Sequence, residues 1–205
     1  ADLSSGASVL RWGSYFQEAE KQRLYTEEMR AATANHFSHA LLETSFQNAH
    51  ASNRLDRTLA TDVANYLQGA LLPKVDRMTM AHSLEARSPF LDQEVLQLAA
   101  RLPAHWKVRG FTTKRILRET FANLLPPSIS QRGKMGFSVP LSLWFAGPLA
   151  GYAREILLQP DAPIHRFLSR QSLGTLLDAH TTGRADHGKR LWAPLNRAAW
   201  LHQLR

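Results

Sequence analysis

Six charged side chains sit in the segment LLPKVDRMTMAHSLEARSPFLD, residues 71–92. Lys74, Asp76, Arg77, Glu85, Arg87 and Asp92 alternate there with Leu71, Leu72, Val75, Met78, Met80, Leu84, Phe90 and Leu91. That apolar content predicts burial, and a buried charge is costly unless it is paired or at work. The segment is therefore either an ion-paired structural clasp or the wall of an active site. Structural ion-pair networks are common, so spacing alone favours the clasp.

A second candidate is SQRGKMGFSVP, running from Ser130 to Pro140. Gly133 and Gly136 let the backbone bend tightly and approach a ligand. Arg132 and Lys134 flank the first glycine and can present a cation to a phosphate. The same residues also make an ordinary basic turn with Phe137 in the core, and by spacing alone that reading is ahead. The nine histidines form no HxxxH pair with supporting carboxylates, so no metal site is expected from this chain.

The elements that position these residues read as helices. Helical spacing covers Phe16–Ala32, His36–Ala49 and Asp56–Gly69, the last with Leu59, Val63, Tyr66 and Leu67 on one face. Asp56 suits its N-cap, and Gly69 stands where a helix ends or bends. Leu71–His82 is predicted as a further helix. Pro89 disfavours helix at Ser88, and Asp92 suits the N-cap of a helix over Gln93–Arg101. Another spans Lys114–Leu125 and is stopped by Pro126-Pro127. After Trp144 follow Leu149–Leu158, Ser172–Thr182 and Gly188–Leu204. No strand, hairpin or long repeat is signalled. The expectation is an all-α chain forming a single domain over 1–205.

Composition bounds the function. A chain of 205 residues with 44% apolar and 20% charged residues can fill one core, and it is not a disordered composition. No apolar run reaches the ~18–20 residues of a membrane span. The absence of cysteine excludes a disulfide scaffold, a thiolate metal site and a thiol nucleophile, and it suits the cytoplasm. The net charge of +8 is dispersed, without the basic blocks or motifs of nucleic-acid readers. The leading reading is a basic solvated surface; phosphate-bearing small molecules come next, and nucleic acid is an unlikely partner.

Four blocks in order, KVDRMTMAHSLEARSPFLD, TTKRILRETF, QRGKMGFSVPLSLWF and GRADHGKRLWAPLNRAAW, resemble the synthetase domain of glutamine-dependent asparagine synthetases. The strong blocks cover 71–145 and 183–200; residues 1–70 resemble the family loosely. The resemblance implies the helical C-terminal part of an adenine-nucleotide α-hydrolase-like α/β domain, with the parallel sheet upstream. It also implies chemistry: ATP and Mg2+ convert a carboxylate into an acyl-adenylate, which ammonia from glutamine attacks. Glu85 matches the glutamate that orients or deprotonates the nitrogen. Lys134 matches the lysine that stabilises the leaving pyrophosphate. Asp76, Arg77, Lys114 and Arg115 are secondary candidates for substrate or nucleotide contact. Arg87 and Asp92 are expected to support the loop that carries Glu85.

The departures are as specific. The family's SGGxDS pyrophosphate loop is missing, and Ser4-Ser5-Gly6-Ala7-Ser8 lacks its paired glycines and aspartate. The glutaminase domain and its cysteine are missing too. The expectation is a fragment, inactive alone and binding no cofactor tightly. Its partners are then the pyrophosphate-loop half and the glutaminase domain of the same polypeptide, with aspartate, ATP and ammonia as substrates. Self-association of the fragment is expected as well. Two alternatives stay open: a divergent ATP-dependent amidotransferase acting on another carboxylate, and a non-catalytic basic helical binding module.

Overall fold

The computed structural model describes residues 13–130, 132–133 and 139–204. Its helices in chain order are α1 Glu18–Leu24, α2 Glu27–Thr33, α3 Ser38–Gln47, α4 Arg54–Asp62, α5 Leu72–Met80, α6 Gln93–Arg101 and α7 Ala104–Lys107. After two short strands, β1 Val108–Arg109 and β2 Thr112–Thr113, come α8 Arg115–Thr120, α9 Pro127–Ser130, α10 Leu141–Ala146, α11 Ala150–Leu158, α12 Arg170–Thr181 and α13 Gly188–Gln203. The helical expectation holds. No helix among the described residues is long and apolar enough to cross a membrane.

The described residues divide into two compact units, one from 41–133 and one from 13–40 with 139–204. The second unit owns the core. Phe145, Leu157, Ile164, Leu173, Leu177 and Leu191 are buried completely or nearly so. The spacing explains it: Leu173 and Leu177 lie one turn apart on α12, and Leu191, Leu195 and Ala198 share one face of α13. Each such leucine contributes roughly 2 kcal/mol by leaving water.

Capping sets the helix ends in this unit. Ser169 Oγ accepts the N–H of Ser172 at the start of α12. The single helix predicted over Phe16–Ala32 is broken at Tyr25-Thr26 instead. Thr26 Oγ1 caps α2 by accepting from Met29 N, and Thr26 N–H donates to Phe167 O at 3.0 Å. A tertiary backbone bond has replaced a helical one, which periodicity within one segment does not reveal.

The first unit runs from Arg54 to Met80 without leaving helical geometry, because a π-helical stretch over Val63–Leu71 joins α4 to α5. Asn53, not Asp56, is the N-cap: its Oδ1 accepts from Asp56 N and its Nδ2 donates to Asp56 Oδ2. Gly69 lies inside the π stretch and ends nothing. Pro73 supplies the reason. It has no N–H, and its ring crowds the carbonyl four residues back in a regular helix. The wider turn before it lets Leu72 N–H bond Leu67 O, five residues back.

Two further expectations are corrected here. Val108↔Thr113 and Arg109↔Thr112 pair antiparallel around Gly110-Phe111, and Gly110 takes φ +56° to make the turn. Strands of two residues are too short for alternation to show. The helix predicted over Lys114–Leu125 ends at Thr120 and gives way to turns. In contrast, α6 spans Gln93–Arg101 as expected, with Asp92 as its N-cap.

Candidate active-site loop

The loop bearing Glu85 is fixed at both ends by backbone geometry. At the end of α5, Leu84 N–H bonds Thr79 O and Ser83 N–H bonds Met80 O, each at 3.0 Å. These are the paired bonds of a Schellman ending, and Ser83 occupies its left-handed position at φ +57°. Glycine usually takes that place, so Ser83 holds a strained conformation. At the far end, Ser88 is extended before Pro89, and Leu91 N–H returns to Ser88 O at 2.9 Å. Asp92 Oδ1 then accepts from Glu94 N at 2.9 Å and Val95 N at 3.3 Å.

Between these anchors, Glu85 Oε1 meets the Arg87 guanidinium at 2.5 Å. The pair is open to solvent, with side chains 67% and 85% exposed. This overturns the burial predicted for residues 71–92. Val75, Met78, Met80, Leu84 and Phe90 are exposed with the charges, so no desolvation cost demands that those charges be paired. Among the described residues of the first unit, Phe46 and Thr61 are the buried ones.

The remaining candidates separate. Asp76 and Arg77 lie exposed on α5, and Lys114 is exposed in left-handed conformation, φ +55°, just before α8. Arg115 is occupied: it bonds Glu119 Oε1 at 2.6 Å and His105 O at 3.2 Å, and it stacks 5.0 Å from the Trp106 ring centre. None of these four bonds or ion-pairs with Glu85 among the described residues. Lys134 lies outside the described residues, as do Ser4–Ser8. Among the described residues no three His, Asp or Glu side chains gather to hold a metal ion.

Sequence reasoning missed one partly buried ion pair in this unit. Lys107 Nζ lies 2.6 Å from Asp56 Oδ1, and it draws the Asp56 carboxyl below its ordinary pKa of 3.8; burial opposes the shift and Asn53 reinforces it. The two are 51 residues apart, so no local spacing announced them.

The asparagine synthase family model matches residues 4–202 of the chain. The chain belongs to the asparagine synthase family. A Bacillus subtilis protein named glutamine-hydrolysing asparagine synthetase 1 is 30% identical over 87% of the chain. A Mycobacterium tuberculosis protein, provisionally named a glutamine-hydrolysing asparagine synthetase, is 39% identical over 68% of it. The human enzyme of that name is 29% identical over 59%. The chain spans 29% of the length of the first relative and 21% of the second. No solved structure gives a significant match. The HSLEARSPFLD block lies within the matched residues, and its pinned loop carries Glu85 exposed to solvent.

Proposed function

We propose that this chain is the helical part of the synthetase domain of a glutamine-hydrolysing asparagine synthetase, both units belonging to that one domain. The observation that supports it most directly is the family match over 4–202, with Glu85 presented on a loop anchored at both ends. In this reading the aspartate side-chain carboxylate attacks the α-phosphorus of ATP and pyrophosphate leaves. Lys134 faces the charge that develops on the departing phosphates. Ammonia from glutamine then attacks the acyl carbonyl, Glu85 orients it and takes its proton, and AMP departs. Asp76, Arg77 and Lys114 stand as secondary contacts to substrate. Arg115 has two of its donors committed within the unit and serves shape first.

Mg2+ reaches this reaction on the phosphates of ATP. The described residues offer no cluster that fits it as a resident ion, and no step assigned to this chain passes through it. The exposed apolar side chains of the first unit, from Val75 to Phe90, suit a face covered by the parallel sheet of an α/β domain. Uncovered, the same side chains favour self-association of the 205-residue chain; a monodisperse monomer in light scattering counts against it. The cytoplasm, where ATP and glutamine are at hand, is the fitting compartment.

The test is ATP–pyrophosphate exchange by the natural polypeptide that carries these residues, with aspartate and a panel of other carboxylates. Exchange dependent on aspartate supports the reading. Exchange with another carboxylate moves it to a divergent amidotransferase, and none with any carboxylate removes it. The 205-residue chain by itself has no SGGxDS run and is expected to show no exchange.

A further inference from the structure

We propose that the second unit carries a binding site for a small polyphosphate-bearing molecule, in the concavity between the α1–α2 junction and the start of α12. The cavity is about 600 Å³, the size of one small ligand. Arg23, Arg30, His165 and Arg170 line it together with Tyr25, and Glu27 is the one carboxylate among its lining residues.

The walls are tied by backbone bonds. Ser169 N–H donates to Leu24 O at 2.8 Å and Thr26 N–H to Phe167 O at 3.0 Å, on either side of an antiparallel bridge between Tyr25 and Leu168. The Ser172 hydroxyl donates to Arg23 O at 2.9 Å, and the Thr26 hydroxyl donates to Arg166 O at 3.1 Å. The chain segments bearing Arg23 and Arg170 are thereby locked side by side.

Two of the arginines here stand without an ion-pair partner. Among the described residues, neither Arg23 nor Arg170 has a carboxylate within ion-pair distance, whereas Arg154 and Arg190 nearby in sequence each hold one. Arg30 gives one N–H to Gln22 O and keeps its other donors. The first-turn N–H groups of Arg170 and Gln171 have no acceptor within α12 and add to the positive field. Guanidinium forks match phosphate oxygens in pairs. Three of them, from three segments around one cavity, require more oxygens than a single carboxylate offers. They gather around one open surface concavity and do not form the extended track that a nucleic-acid backbone follows.

The site shares no residue with Glu85 or Lys134, so the proposal stands apart from the adenylation reading. Inorganic tripolyphosphate is titrated into the 205-residue protein by calorimetry, for wild type, Arg23→Ala/Arg170→Ala and Arg184→Ala. The expected result is saturable one-to-one binding, weakened at least tenfold in the double variant and changed less than twofold in Arg184→Ala. Arg23, Arg170 and Arg184 are exposed, and thermal unfolding checks that each variant folds. Absence of saturable binding, or equal binding by the double variant, overturns the proposal. Loss of binding in Arg184→Ala equal to that in the double variant shows a non-specific charge effect and also overturns it. Tighter binding of a single-stranded RNA oligomer, still dependent on Arg23 and Arg170, replaces the small ligand by a polymer and overturns the stated ligand class.

Discussion

Gly188 stands against Ser142 with no space for a side chain. A methyl group on residue 188 would lie 2.7 Å from Ser142 N and 2.8 Å from its Cα. Both residues also bond Asp186: the Ser142 hydroxyl donates to its carboxylate at 2.7 Å, and Gly188 N–H donates at 2.9 Å. Those two bonds hold the Asp186 carboxyl below its ordinary pKa, the Gly188 bond contributing most. The start of α13 is thus pressed onto the start of α10.

Gly188→Ala forces backbone apart, since the obstructing atoms are main chain and cannot rotate away. The expected loss is about 1–3 kcal/mol of stability. Thermal denaturation checks it, with Gly174→Ala as control, because the nearest atom there is a flexible leucine methyl at 3.9 Å.

His187 gives the second unit a pH dependence. Burial holds its ring below the ordinary value of 6.5, with Arg190 and His180 adding repulsion, and its Nδ1 is buried without a hydrogen-bond partner among the described residues. A group with a depressed folded pKa binds more protons unfolded than folded, so stability rises with pH through that window. The contribution is complete above pH 6.5 and is lost as pH falls through the folded value. Denaturation midpoints that fall below neutrality in wild type, and flatten in His187→Gln, are the expected outcome. A slope unchanged by the substitution refutes the assignment.

Lys107→Ala removes the cation at 2.6 Å from Asp56 and leaves that partly buried carboxylate with Asn53 alone. A loss of roughly 1–2 kcal/mol follows for a charge-assisted bond at such a site. Asp56 has a lowered folded pKa, so its contribution is present above the ordinary 3.8 and disappears as pH falls through the folded value. Acid titration of stability in wild type and Lys107→Ala therefore converges at low pH.

Glu85→Gln separates chemistry from stability. Its ion pair with Arg87 is exposed, so folding changes by under about 1 kcal/mol. Loss of a group that handles the proton of the attacking nitrogen costs about 10²–10⁴-fold in amide formation. The readout is asparagine formation by the natural polypeptide, beside its denaturation midpoint. Unchanged turnover sinks the catalytic role; a large stability loss would show that the pair is a clasp.

The helix ends written by short-range chemistry were legible in the residues. Asp92 caps α6 because its carboxylate reaches N–H groups two and three residues away. The same is true of the break before Pro89. Elsewhere a competing local choice won: Asn53 took the cap expected of Asp56, and Pro73 widened the turn that Gly69 was expected to end. Of the candidate site, sequence supplied Glu85 through the block around it. The Schellman ending that aims its loop depends on Ser83 in a conformation that serine rarely adopts.

What the sequence determined by itself was helicity, the family and the identity of the candidate catalytic carboxylate, because periodicity, caps and motif blocks are local patterns. Tertiary structure decided which apolar residues are covered. Leu173 and Leu191 are buried while Met78 and Phe90, equally apolar, face solvent. Burial is a relation between surfaces, and a side chain leaves water only where another element is present to meet it. For the same reason the Lys107–Asp56 pair and the Arg23–Arg170 cavity, built from segments far apart in the chain, exist only once it has folded.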